Sequence, residues 1–63
     1  MKMTYRQLHK VINTLSEDEL LEMLNAERVG QRRFAVLHRL HQRYSMLRMQ
    51  RERLEILREA RIQ

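Results

Sequence analysis

Residues 24–44, LNAERVGQRRFAVLHRLHQRY, contain the only glycine of the 63-residue chain and decide how its helices are divided. Arginines lie on both sides of Gly30, and leucines recur every three or four residues beyond it. Glycine is common just after the end of a helix, where it adopts a left-handed conformation without steric cost. We therefore predict that Gly30 ends one helix in that conformation and that the next helix begins at about residue 31.

The segments before Gly30 carry the start signals of two helices. Thr4 is followed three residues later by Gln7, and Ser16 by Glu19. This is the spacing of a capping box, in which side chain and backbone exchange hydrogen bonds. The pattern predicts one helix over about residues 5–14 and another over about residues 17–29. Their inward faces are predicted to carry Leu8, Val11, Ile12, Leu15, Leu20, Leu21 and Leu24.

The remainder of the chain has no residue that breaks a helix, because residues 31–63 contain neither proline nor glycine. A helix over about residues 31–62 is roughly 48 Å long at 1.5 Å per residue, and the first two helices measure about 15 and 20 Å. The short helices can therefore shield only the first half of the long one. The sequence predicts an all-α chain, a single domain over residues 1–63, in which two short helices and one long C-terminal helix form a helical hairpin.

Apolar residues along the long helix form a heptad-like stripe, interrupted at Arg51. At 100° per residue, one face carries the residues that we call the leucine stripe: Leu37, Leu40, Tyr44, Leu47 and Leu54. Such a pattern is typical of coiled coils and predicts self-association as a homodimer. The alternative is a frayed C-terminal end with scattered exposed apolar residues.

A second apolar series, Met46, Met49 and Ile56, lies on a different face of the same helix. Methionine is flexible and polarizable, which suits surfaces that accept irregular neighbours. These three residues are therefore predicted to form a surface on which a partner protein docks.

The charge of the chain is unevenly distributed, with a net charge of +5 and nine of the arginines after Gly30. Arg32, Arg39 and Arg43 are predicted to share one side of the long helix, away from the leucine stripe. Arginine binds both carboxylates and phosphates through paired hydrogen bonds. The sequence predicts that these three bind an acidic protein surface, with nucleic acid as the alternative partner.

Several classes of function find no support in the residues. The absence of cysteine excludes disulfides, and the His38–His41 pair lacks a third ligand for a metal. No phosphate-binding glycine loop or nucleophile–base pair is present, so we predict neither an enzyme nor a cofactor. No apolar run is long enough to span a bilayer, and MKMTYRQLHK lacks the apolar core of a secretory signal. A cytoplasmic protein without a membrane segment is expected.

A helix-turn-helix is the alternative interpretation of the segment around Gly30. Ala26, Gly30 and Val36 match its small, turn and core positions, whereas Asn25 and Arg39 stand where apolar residues are usual. A recognition helix is also normally short, so the hairpin is favoured.

The run LLEMLNAERVGQRRFAVLHRLHQRY, residues 20–44, resembles the helix–glycine–helix segments of small accessory proteins encoded by tailed bacteriophages. The helix order is also similar to the N-terminal oligomerisation region of bacterial nucleoid-structuring proteins. The phage resemblance implies a regulatory protein without enzymatic activity that binds a bacterial host protein in the host cytoplasm. It assigns no role to an individual residue.

Overall fold

A computed structural model describes residues 3–62, and helices account for most of them. They are α1 (Tyr5–Val11), a 3₁₀-helix (Ile12–Thr14), α2 (Glu17–Val29) and α3 (Phe34–Ile62). No strand occurs among the described residues, which confirms the all-α class. Residues 1, 2 and 63 of the predicted domain lie outside the described range.

Both predicted capping boxes are present. The Thr4 hydroxyl accepts a hydrogen bond from the Gln7 backbone N–H at 3.2 Å, and the Gln7 side chain accepts one from the Thr4 N–H at 2.9 Å. Ser16 and Glu19 make the same exchange at 3.1 and 3.0 Å. These bonds satisfy backbone donors that the first turn of a helix leaves free. The starts of α1 and α2 could therefore be predicted from local sequence.

The connection between α2 and α3 corrects the prediction for Gly30. Its φ is −100° and its ψ is −120°, so it is not left-handed; the residue with positive φ is Arg32, at 55°. Gly30 still ends α2, and a Cβ atom there would lie only 3.0 Å from the Ala26 carbonyl oxygen. Because the left-handed Arg32 cannot continue a right-handed helix, α3 begins at Phe34 rather than near residue 31.

A buried ion pair, which the sequence analysis missed, holds this connection. Glu27 is fully buried, and its carboxylate accepts hydrogen bonds from the backbone N–H of Arg33 at 2.9 Å and from its guanidinium at 3.0 Å. The side-chain hydrogen bond from Arg33 is the main cause that lowers the pKa of Glu27 to about 2. The Glu27 carbonyl also accepts the N–H of Arg32 at 3.0 Å. A buried carboxylate needs such partners to offset the loss of hydration.

The core lies where α1, the 3₁₀-helix and α2 meet the first half of α3. Its buried apolar side chains are Leu8, Ile12, Leu20, Leu24, Val36 and Leu40. Leu15 packs against this cluster as expected. Leu21 was predicted to face inward, but 38% of it is exposed. It follows Leu20 directly, and adjacent helical residues point about 100° apart, so the narrow contact with α3 buries only one of the two.

The two ends of α2 are held by ion pairs, one to the residue that precedes α3 and one to α3 itself. Near its end Glu27 binds Arg33, and at its start the Glu17 carboxylate accepts two hydrogen bonds from Arg51 at 2.9 and 3.1 Å. Beyond Arg51, residues 52–62 of α3 continue for about 16 Å at 1.5 Å per residue. All residues from 52 to 61 are exposed. The helix therefore projects past the packed part of the chain.

Candidate protein interface on the distal half of the long helix

The structure divides the leucine stripe into a covered part and an exposed part. Leu40 is fully buried, and Leu37, Tyr44 and Leu47 pack against the core, whereas Leu54 is 65% exposed. The prediction of one continuous stripe available to a second copy is therefore corrected. The reason is that α1 and α2 bury their own apolar faces against these four residues.

The exposed large apolar residues of α3 from residue 46 onward lie on one broad side of the helix, here called the distal surface. It consists of Met46, Met49, Leu54, Ile56 and Leu57, which are between 37% and 65% exposed. The three residues predicted to dock a partner, Met46, Met49 and Ile56, are among them.

Leu57 is the member that the sequence analysis missed. At 100° per residue it lies about 20° from Met46 and about 60° from Leu54, so it joins the methionine series to the end of the leucine stripe. The same angular reading of the sequence could have found it. Together these five apolar side chains lie within an arc of about 160°, which also contains Gln50, Arg53 and Arg61.

Leu54 and Leu57 form a ridge with a shallow groove on each side. One groove is lined by these two leucines with Gln50 and Arg53, and the other by the same leucines with Arg58 and Arg61. We call the three arginines Arg53, Arg58 and Arg61 the arginine rim. The apolar ridge is thus bordered by positive charge.

The glutamates of the distal helix point elsewhere. Glu52 accepts a hydrogen bond from Arg48 at 2.8 Å, and Glu55 accepts one from Arg51 at 3.0 Å, as the i,i+4 spacing suggests. At 100° per residue Glu52, Glu55 and Glu59 lie about 140–160° away from Leu57. None of them lines the two grooves beside the ridge. The carboxylates therefore do not neutralise the arginine rim.

The predicted stripe of three arginines does not form on α3. Arg32 precedes the helix, and its Nε donates a hydrogen bond to the Arg28 carbonyl at 2.9 Å. Arg39 and Arg43 are half-buried, and the Nε of Arg43 is buried without a partner among the described residues. The left-handed backbone of Arg32 is what separates it from the other two.

A second apolar groove lies near the start of α3. The Phe34 ring is 80% exposed and stacks on His38, with ring centroids 5.7 Å apart. The groove is lined by Leu24, Arg28, Phe34, Leu37, His38 and His41. Within residues 3–61, no three histidine or carboxylate side chains come close enough together to hold a metal ion.

Comparisons with known proteins found no similar sequence or structure, so the proposed function rests on the geometry of the chain. No family model matches the chain, and searches of curated proteins and of solved structures found no match. None of the helices in the described part of the chain has the length and apolar character needed to cross a membrane.

Proposed function

We propose that the chain is a small regulatory protein-binding module without enzymatic activity. In this proposal the α2–α3 hairpin, with α1 packed on it, is a rigid base, and the distal surface docks on a partner protein. The observation that carries the proposal is the exposure of five large apolar side chains on a helical segment that its own chain leaves uncovered. Exposed apolar side chains clustered on one side of a helix and bordered by polar residues often mark interaction sites.

The resemblance to phage accessory proteins supports a bacterial host protein as the partner. Modules of that class act by binding a host enzyme, polymerase or nucleoid protein and redirecting it. The proposed role is therefore that of an accessory factor in the host cytoplasm.

The energetics favour a partner that adds polar contacts. Full burial of a Leu, Ile or Met side chain contributes about 1.5–3 kcal/mol. Covering the exposed parts of the five distal residues then contributes on the order of 5 kcal/mol. Association itself costs an estimated 4–15 kcal/mol in lost translational and rotational freedom. Apolar burial barely offsets the low end of that cost, so charged contacts at the rim have to contribute as well.

The fold restricts the self-association predicted from the leucine stripe, and a homodimer is an alternative to partner docking rather than a part of it. Because α1 and α2 cover Leu37, Leu40, Tyr44 and Leu47, a homodimer would have to use Leu54 together with Leu57. It would compete with the partner for the same surface.

Affinity capture from bacterial lysate tests the docking role. We expect the parent chain to retain a protein that the Leu54→Ser/Leu57→Ser variant loses, because serine removes the apolar ridge. The matched control is Leu21→Ser/Val29→Ser, which removes two exposed aliphatic side chains from α2. Circular dichroism should show similar helicity in all three proteins. Equal capture by the parent and the distal variant would contradict the proposal.

Nucleic-acid binding is the second candidate, and the net charge of +5 together with the arginine rim favours it. Binding to a phosphate backbone releases counterions and therefore weakens steeply with salt. Repeating the capture after nuclease treatment separates the candidates. Retention that survives nuclease supports a protein partner, whereas loss of all retained material would replace the docking role with nucleic-acid binding.

A further inference from the structure

We infer that the partner element seated on the distal surface is an acidic amphipathic helix, an inference that rests on the docking role proposed above. Leu54 and Leu57 are three residues apart and form a ridge between two grooves. Helices pack by inserting the ridges of one into the grooves of another. An amphipathic helix with apolar residues at spacings of three and four can place these residues in the two grooves beside the ridge.

The positive charges around the ridge favour acidic residues on both sides of the apolar face of that helix. Every charged residue that lines the two grooves is an arginine of the rim. Salt bridges in the described part of the chain engage Arg33, Arg48 and Arg51 and none of the rim arginines. Arginine forms strong, often bidentate hydrogen bonds with carboxylates. Glutamates or aspartates beside the apolar residues of the incoming helix would meet these free guanidinium groups.

The same charges disfavour a second copy of the chain as the occupant. In a symmetric pair of distal surfaces each ridge would bring its own arginine rim. The rim offers no carboxylate to the other copy in either direction of pairing, because the glutamates lie on the opposite side of the helix. Two of them are already bound to arginines of their own helix, Glu52 to Arg48 and Glu55 to Arg51. Like charges placed together across an interface act against association.

An anionic membrane surface is disfavoured for a related reason. Helices that lie in a membrane interface carry a polar face rich in lysine and arginine. The polar face of the distal helix carries Glu52, Glu55 and Glu59 beside Arg48 and Arg51, and these two arginines are ion-paired with Glu52 and Glu55. That face therefore has no excess of positive charge with which to bind anionic headgroups. A protein helix touches only the ridge and its rim, so these glutamates stay in water.

Two synthetic amphipathic peptides with the same leucine positions test the inference. One carries glutamates beside the leucines, and the other carries lysines at the same positions. We expect the parent chain to bind the glutamate peptide at least about tenfold more tightly, measured by fluorescence anisotropy, and the preference to shrink with salt because exposed charges are screened. Weak or equal binding of both peptides would overturn the inference.

Charge reversal at the rim provides a second measurement. Arg53→Glu/Arg58→Glu should invert the preference toward the lysine peptide. The control Arg6→Glu/Lys10→Glu changes the net charge equally on the exposed face of α1 and should keep the preference of the parent. If both variants alter the preference alike, net charge rather than the rim decides binding, and the assignment to the rim is refuted.

The other occupants give distinct results. Tighter binding to vesicles of equal parts phosphatidylserine and phosphatidylcholine than to the glutamate peptide would assign the surface to lipid. A stable dimer in sedimentation experiments that the glutamate peptide fails to dissociate would assign it to a second copy. Either result overturns the inference. If lysate capture depends on Leu54 and Leu57 while the peptides show no charge preference, only this inference fails and the docking role stands.

Discussion

Replacing Leu40 and Leu54 separately by alanine tests how the structure divides the leucine stripe. The two residues lie 14 positions apart on the same face of α3, yet Leu40 is fully buried and Leu54 is 65% exposed. The chemical change is identical in both variants. Any difference in the free energy of unfolding therefore reports the surroundings of the two side chains.

The expected magnitudes follow from burial. Removing a buried leucine side chain costs about 2–5 kcal/mol, because transfer energy is lost and a cavity remains. A domain of this length has a total stability of roughly 3–9 kcal/mol. Leu40→Ala should thus remove a large share of it and lower Tm by about 8 °C or more. Leu54→Ala should stay within about 0.5 kcal/mol, because the side chain is largely hydrated and alanine is a good helix former.

Urea unfolding followed by far-UV circular dichroism measures both variants, repeated at several protein concentrations. A loss at Leu54 as large as that at Leu40, and dependent on concentration, would mean that a second copy buries Leu54. An equally large loss that does not depend on concentration would mean that the chain itself covers Leu54. Each result would refute the division of the stripe.

Two further predictions concern the interactions that stabilise the ends of α2, the Ser16 cap and the Glu27–Arg33 ion pair. Ser16→Ala should lower the free energy of unfolding by about 1 kcal/mol, because it removes the hydroxyl that accepts a hydrogen bond from the Glu19 N–H. Chemical denaturation measures this loss, and an unchanged midpoint would contradict the role of the cap. The pKa of Glu27 is about 2 in the folded chain against an ordinary 4.5, so its stabilising contribution is complete above pH 4.5 and is lost as the pH falls toward 2. Glu27→Gln should therefore destabilise the chain at neutral pH and weaken the fall of Tm at acidic pH. The control Glu22→Gln, at an exposed position, should show the same fall of Tm as the parent. An unchanged fall in Glu27→Gln would refute the stabilising role of the Glu27 carboxylate.

Local sequence was sufficient where the interactions are local. The capping boxes at Thr4 and Ser16 join residues three positions apart, and both were predicted with their partners. The ion pairs Arg48–Glu52 and Arg51–Glu55 join residues one helical turn apart, and their i,i+4 spacing is visible in the sequence. The exposure of Met46 and Met49 follows from the helical period, which places them on a different face from Tyr44 and Leu47, the neighbours that pack against the core.

Contacts between distant residues decided what the sequence analysis missed. From the sequence, Arg51 interrupts a coiled-coil stripe. In the structure it binds Glu17, 34 positions away, and this contact joins the start of α2 to α3. Glu27 reads as an ordinary surface residue of a helix, but the chain buries it against Arg33. A helical period reports which residues share a face. It does not report what covers that face.

The sequence by itself determined the helix number, the start of each capped helix, the end of α2 at Gly30 and the excess length of α3, because each depends on backbone hydrogen bonding and on residues within one or two turns. The tertiary structure decided which apolar residues stay available to a partner. Leu40 and Leu54 belong to the same stripe, and only the limited length of α2, which reaches along α3 no farther than Arg51, leaves Leu54 exposed while Leu40 is buried. The tertiary structure also placed the left-handed turn at Arg32 rather than at Gly30, because the buried Glu27 holds the backbone N–H groups and the guanidinium of the connection in position.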